Sequence, residues 1–545
     1  MTRFVEIAVL SEALSRESSR NAKIATLAKL LREVLPAEVA ATVGFLSGEP
    51  RFGKVGVGFA KLSRLFSRPA KSEATMDLLD VEARVFALSE VSAAALDFRL
   101  GELADVLTSQ ERMFLSRVIG DGLRQGSLEG VMLTAVAKAF ATPEPEVRRA
   151  TMLSGSLANV AASLSETGSI AAGLLELCVL RPILPMLASP ADDAATALRE
   201  GTGSARVDLK MDGVRVQVHK DGDVVRAFSR QRNDVTREVA SLLAPLRSLP
   251  ARSFVLDGEV VLFDDAGRPC AFQDTMSRFA TEVSDASNRE RGTLRLFAFD
   301  LLLLDGKSLI DEPLSSRVEA LHALLPPELL MPSRIVSDEP AANAAYEEAL
   351  ASGHEGVVVK QIDSRYVAGS RDDAWRKVKK AITVDLVVLA AEWGSGRREG
   401  LLSNLHLGAR AEDGSFVMVG KTFKGLTDAM LAEQTAKLLA LEERRDAHET
   451  VFVRPGFVVE VAFSDAQRSP RYPGGVALRL ARVKRFRPDK GPSTVESLEA
   501  LAALVPPSIM APPDKPSHKP KPKPPPPSPQ LSLFGEAATK RTYRR

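Results

Sequence analysis

The sequence predicts a multidomain chain: all-α at its start, α+β in the middle, all-β after that, and non-globular at its end. Three observations predict it. Apolar residues recur at three- and four-residue spacing over residues 1–180. Alternating apolar runs broken by turn residues take over from Ala205. From about Pro506 proline and lysine displace the apolar residues, so no core can form there.

Length and charge set the limits. The 545 residues allow roughly three or four domains of ordinary size. Hydrophobic residues at 45% and charged ones at 26% describe a core-forming, soluble polypeptide. The net charge of +2 excludes a global basic field, so any charge that binds nucleic acid has to be local. Two cysteines, Cys178 and Cys270, exclude a disulfide scaffold and a cysteine-rich zinc site, and their apolar neighbours predict inert core positions. The start, Met1-Thr2-Arg3-Phe4, has no leader pattern, and no run reaches the ~18 apolar residues of a membrane span. A cytoplasmic protein is expected.

Over residues 1–180 the helical period is carried by Ile7, Leu10 and Leu14, then by Ile24, Leu27, Leu30, Leu31 and Leu35, with Ser18-Ser19 as a capped start. Glycines mark two connections, Gly53 to Gly58 and Gly120 to Gly126. The second places Arg124 ahead of a helix near Leu128, which suits either an ordinary turn or a phosphate-binding helix start. Arg181-Pro182-Ile183-Leu184-Pro185 reads as the exit from this domain. Strands then dominate residues 205–380, with helices expected near 235–246, 317–325 and 341–352. Strand-like runs at 385–391, 405–409, 416–419, 457–463 and 478–486, with a helix near 427–443, have the size and rhythm of a small five-stranded barrel of the oligonucleotide-binding (OB) type.

The chemistry centres on Asp208-Leu209-Lys210-Met211-Asp212-Gly213-Val214-Arg215. Ala205, Val207 and Leu209 alternate as a strand, which ends at Lys210, and Asp212-Gly213 reads as a turn into the next strand. A β-hairpin with a solvated lysine is the plain interpretation of this stretch alone. Downstream come Ser229-Arg230, Asp257-Gly258-Glu259, an apolar strand through Phe299, Glu355-Gly356 followed by Val357 to Lys360, Arg371, and Trp375-Arg376-Lys377-Val378-Lys379. In the last of these, alternation puts Lys377 and Lys379 on one face. Arg485 to Lys490 closes the series.

This ordered set resembles the ATP-dependent DNA ligases of the covalent nucleotidyltransferase superfamily, whose nucleophile motif Lys-x-Asp-Gly-x-Arg matches Lys210 to Arg215. The resemblance spans about residues 1–490. It implies a helical DNA-binding domain at 1–180, a nucleotidyltransferase (adenylation) domain at 181–382, an OB-fold barrel at 383–492 and a disordered tail at 493–545. It further implies that Lys210 attacks the α-phosphate of ATP, that AMP passes to a DNA 5′-phosphate, and that the adjoining 3′-OH seals the nick during replication, repair or recombination. Only a neutral amine is nucleophilic. An ordinary lysine is about one part in a thousand neutral near pH 7.5, a handicap of roughly 4 kcal/mol that nearby cations and burial relieve.

The resemblance assigns further roles. Lys377 and Lys379 meet the α-phosphate, and Glu259 and Glu355 hold Mg²⁺ or another divalent cation. Asp208, where the family usually has Glu, accepts from the adenine amino group, and Phe299 stacks on the base. Arg215, Arg230 and Arg371 contact the nucleotide or the 5′-phosphate, while Arg485, Asp489 and Lys490 orient the departing pyrophosphate. Lys421, Lys424 and Arg397-Arg398 face DNA phosphates. An mRNA-capping guanylyltransferase or RNA ligase shares the chemistry, but the helical first domain argues against both. A catalytically silent DNA-binding scaffold is the alternative of another class. In the tail, Gln530-Leu531-Ser532-Leu533-Phe534 resembles the pentapeptide that docks bacterial replication proteins on the sliding clamp, with Gln530, Leu531, Leu533 and Phe534 as anchors. The expected protein is a bacterial, nucleoid-associated monomer acting on nicked duplex DNA.

Overall fold

The computed structural model describes residues 1–506 except 54, 56, 59–61, 63–68, 89, 90, 92, 121, 122, 124–127, 202, 281–291, 368, 370, 381 and 448. Most of the connection 120–126 and the pentapeptide 530–534 therefore lie outside the described residues, as does the side chain of Arg371.

The first part is helical, as the apolar period requires. Its centre is Pro36–Ser47, a helix started by a proline and buried on nearly every side. Phe45 there packs against Phe4 and Phe114, with ring centroids 5.3 and 6.2 Å away. Helix Arg20–Glu33 begins where Ser19 accepts a hydrogen bond from the Ala22 N–H, the expected cap. Among the described residues no helix is long and apolar enough to cross a membrane.

The middle part contains two five-stranded sheets. In spatial order the first runs Leu187–Pro190, Arg371–Lys379, Gly356–Gln361, Ala205–Lys210, Ser333–Val336. The second runs Val224–Ser229, Val214–Asp221, Ser253–Phe263, Thr293–Leu304, Lys307–Ser308. This corrects the hairpin interpretation of Lys210. The strands on either side of Asp212-Gly213 do not pair: Ala205–Lys210 bonds to Gly356–Gln361 and Ser333–Val336, whereas Val214–Asp221 bonds within the other sheet. The turn thus carries the chain from one sheet to the other. Gly213 fits that crossing, because a Cβ there would stand 2.3 Å from the Val260 carbonyl oxygen.

Other expectations shift locally. The helix expected at 235–246 starts only at Ala240, because Val235 N–H and the Thr236 hydroxyl are bonded to the backbone of Ala227. Helices Ala194–Arg199 and Phe272–Ala280 were not foreseen, and Leu498–Ala503, with Leu501 buried in the core of the third part, corrects the expectation that a disordered tail begins at 493. The cysteines are half-buried rather than core.

The third part is an OB-like β domain, larger than the five strands expected. Its sheet has seven strands, and a separate two-stranded ribbon pairs Asp465–Arg468 with Val476–Arg479. The run 478–486 is two strands, broken where Leu480 takes φ +57°. Helix Asp428–Ala440, capped by Thr427, seals the domain core through Leu431 and Leu438.

Candidate active site

Strand register assembles the site. Gly356 lies opposite Lys210 on one side and opposite Lys379 on the other. Glu355, one residue earlier, is therefore delivered between two lysines 169 positions apart in sequence (379 minus 210). Its backbone N–H donates to the Lys210 carbonyl at 3.1 Å. Its carboxylate ion-pairs with Lys379 and stands 2.5 Å from Lys210 Nζ. Gly356 has φ +147°, and a Cβ there would come within 2.1 Å of the Val378 oxygen, so no larger residue holds this register.

Lys210 opens into a cavity of about 530 Å³ lined from both sheets. That is an ordinary volume for a small-molecule site. Lys377 and Lys379 line one wall, as their alternation predicts, with Glu259 and Arg215 on another. Arg215 is fixed: it forks onto Asp257 at 2.6 and 3.0 Å and donates to the Met186 oxygen at 2.7 Å. The Tyr366 hydroxyl donates to the same carboxylate at 2.5 Å. Arg230 lies exposed at the cavity edge.

The far end is apolar with a charged floor. Phe299, Met331 and Trp375 line it, and Lys360 Nζ sits 4.2 and 4.1 Å from the Phe299 and Trp375 ring centroids. Asp208 is 2% exposed, with its oxygens 2.9 Å from Arg206 Nε and 2.6 Å from Lys360 Nζ. The carboxylate expected to meet the base is thus already engaged by two cations.

Comparison with known proteins gives the family. A family model described as ATP dependent DNA ligase domain matches residues 185–379, and one described as ATP dependent DNA ligase C terminal region matches 398–490. A probable DNA ligase of Saccharopolyspora erythraea is 46% identical over 506 residues, covering 92% of this chain and 98% of that one. The chain belongs to the ATP-dependent DNA ligase family. A probable DNA ligase of Rhodococcus opacus is 45% identical over 508 residues, with 92% and 99% covered. The solved structure Pmar-Lig_Pre aligns over 88% of this chain and 99% of its own at a TM-score of 0.57 and 20% identity, a likeness of fold.

Charge in this ligase-family pocket is tightly balanced. Burial alone would raise the Glu355 carboxyl, yet Lys210 and Lys379 hold it below the ordinary carboxylate range. Burial, with Lys210 beside it, lowers Lys379 despite Glu355. Glu259 is pushed up to about 7, first by burial and then by Asp257 and Asp212, against Lys210 and Arg215. A half-buried carboxyl with a raised pKa gains from a hard divalent cation beside it. One or two carboxylates plus substrate phosphates and water are what such an ion needs, so Glu259 and Glu355 fit it. Among the described residues no cluster of three or more His, Cys, Asp or Glu residues forms a cage of its own.

Sequence reasoning missed the barrel's contribution. Arg479 ion-pairs with Asp212, 267 positions away, and stacks 4.0 Å over the Phe272 ring. Leu480 also lines the cavity, and Gln273 Nε2 donates to the Arg468 oxygen at 3.1 Å. No local pattern marks these residues, because the contact joins two domains. Asp465 of the same ribbon is pushed up to about 6 by burial and by Asp212. In contrast, Arg485, Asp489 and Lys490 do not line the cavity. They pair with Glu460, Arg487 and Asp385 within the barrel. Of the residues expected on DNA, Lys421 pairs with Glu392, and Arg398 donates to Ser403 and the Phe423 oxygen.

Proposed function

We propose that this chain seals nicks in duplex DNA through a lysyl-AMP formed on Lys210. The observation that carries this is the Lys210–Glu355–Lys379 bridge at the mouth of a nucleotide-sized cavity lined by Lys377, Glu259 and Phe299. Lys210 must lose a proton before it attacks: the cationic side chains of Lys377 and Lys379 in the same cavity favour the neutral amine, while Glu355, 2.5 Å away, fixes its position. The amine then forms a P–N bond to the α-phosphorus of ATP as the α–β bridging P–O bond breaks and pyrophosphate leaves. Lys377 and Lys379 offset charge on the α-phosphate oxygens. A DNA 5′-phosphate oxygen next displaces Lys210 from AMP. The 3′-OH finally attacks the 5′-phosphorus, and AMP leaves.

Phe299 supports the base face-on, above the Lys360–Asp208 floor. Arg215 and Arg230, with Arg371, bind ribose or the 5′-phosphate. Mg²⁺ or a similar cation, held by Glu259 and Glu355, withdraws charge from the phosphates when bound. Arg485, Asp489 and Lys490 reach the pyrophosphate only if the barrel turns them toward the cavity. The tail acts as a tether, with Gln530 to Phe534 on a bacterial sliding clamp.

Incubation with α-labelled ATP or GTP, followed by a denaturing gel, tests the reading. Label from ATP alone should stay on wild type, be absent from Lys210→Ala, and move to DNA when nicked duplex is added. Label on Lys210→Ala, or label that no nick removes, would refute it. Removing residues 506–545 should leave sealing of free DNA nearly intact while abolishing capture by a bacterial clamp.

A further inference from the structure

The turn after strand Val224–Ser229 faces two ways. It is closed by its own backbone: Arg232 N–H donates to the Ser229 oxygen at 2.8 Å, and Ser229 N–H to the Asn233 oxygen at 2.9 Å. Asn233 N–H adds a bond to Ser229 Oγ at 3.2 Å. Arg230 and Gln231 line the nucleotide cavity. Arg232, the next residue, points into the helical domain. It donates from Nη1 to the Gly155 oxygen, and its Nη2 stands 3.4 Å from Glu49 Oε2.

Three features mark Arg232 as more than a surface residue. Its φ of +68° is left-handed, a conformation that costs a side-chain-bearing residue roughly 1–2 kcal/mol. The turn keeps arginine there rather than glycine, and the side-chain contacts across the interface offset the strain. The fit is close: a Cβ on Gly155 would stand 3.0 Å from Arg232 Nη1 and 3.2 Å from the Pro182 oxygen. Arg232 also carries its charge near a second carboxylate of the helical domain, Glu129. Burial and then Glu49 raise the Glu129 carboxyl, while Arg232 and Arg148 oppose them.

We infer that Arg232 is a positioning residue: by gripping Gly155 and Glu49 of the helical domain it fixes the turn that presents Arg230 to a phosphate in the cavity. This one contact with the helical domain, rather than docking as a whole, thereby sets the pocket edge. The inference rests on the proposed role of Arg230 as a nucleotide or 5′-phosphate contact.

The full-length chain tests it with two readouts. One is the ATP concentration giving half-maximal labelling, and the other the nicked-duplex concentration giving half-maximal sealing. Arg230→Ala should raise one of these, and Arg232→Gly should raise the same one by about tenfold, with maximal rates little changed. Glycine suits the left-handed φ, so this variant keeps the turn and removes only the grip. Arg232→Lys should recover part of the loss. Combining Arg230→Ala with Arg232→Gly should cost little more than Arg230→Ala alone. Arg149→Ala is the control. It removes another tie between the same domains, the pair to Asp311 at 2.7 Å, without touching the turn, and should leave both readouts unchanged. Wild-type values for Arg232→Gly, additive losses in the double variant, or an equal loss in Arg149→Ala would overturn the inference. Absence of label on wild type would instead overturn the assignment of Lys210.

Discussion

Arg479 of the barrel ribbon ion-pairs with Asp212, two residues beyond Lys210, and covers the Phe272 ring. The pair closes the ribbon over the cavity mouth. Both side chains keep some solvent, 21% and 26%, so the ion pair contributes about 1 kcal/mol. Loss of the pair should therefore loosen the ribbon without unfolding it, because Ala466, Val476 and Leu478 stay in the barrel core. Arg479→Ala is expected to speed amide exchange in 465–479 by roughly fivefold while leaving the core of the barrel, around Leu405 and Val459, unchanged. Hydrogen exchange read by mass spectrometry checks this.

Glu355 bridges Lys210 and Lys379, and the Glu355→Gln change keeps its size without its charge. Two cationic side chains would then face each other with no counter-charge, and Lys210 would lose the carboxylate that fixes its position. Label formation at saturating ATP should fall roughly a hundredfold in Glu355→Gln. The site is partly solvated, so the melting temperature should move little. A single-turnover labelling course beside a thermal melt separates the two effects.

What could be read from the sequence follows contact range. Lys377 and Lys379 share a face because strand alternation is local, and Ser19 caps its helix for the same reason. The lysine at a strand end was visible at Lys210. That its strand leaves the expected hairpin to pair with Gly356–Gln361 was not, because partner choice is decided by residues far along the chain. Asp208 shows the same limit. Its place on the strand is local, whereas its capture by Arg206 and Lys360 is set by the next strand across. Arg479 and the Arg232 grip join separate domains, and no periodicity records such contacts.

His219 gives a pH dependence of stability. It is fully buried, its Nδ1 accepts the Leu180 N–H at 3.0 Å, and burial pushes its pKa down to about 3. The folded state therefore keeps it neutral, while the unfolded chain takes up a proton near the ordinary histidine value of 6.5. The penalty is absent above pH 6.5 and grows as pH falls towards 3, at about 1.4 kcal/mol per unit. Urea unfolding between pH 7 and 5 should show this slope (about one proton) in wild type and a slope smaller by that amount in His219→Gln. Parallel pH profiles for the two proteins would refute it.

Asp208 anchors a buried charge cluster on which the stability of the site depends. Its carboxylate is 2% exposed and sits between Arg206, 1% exposed, and Lys360, 2% exposed. Arg206 also donates to the Phe299 oxygen at 3.1 Å, so the trio underlies the ring that flanks the cavity. Burial lowers Lys360 even with Asp208 beside it. Asp208→Ala would strand two buried cations, and a broken buried pair costs about 3–5 kcal/mol. Denaturant unfolding of Asp208→Ala should show a loss of that size. The double variant Asp208→Ala with Lys360→Met removes one stranded charge and should recover part of it. A loss below about 1 kcal/mol in the single variant would mean that water reaches the floor of the pocket and screens both cations.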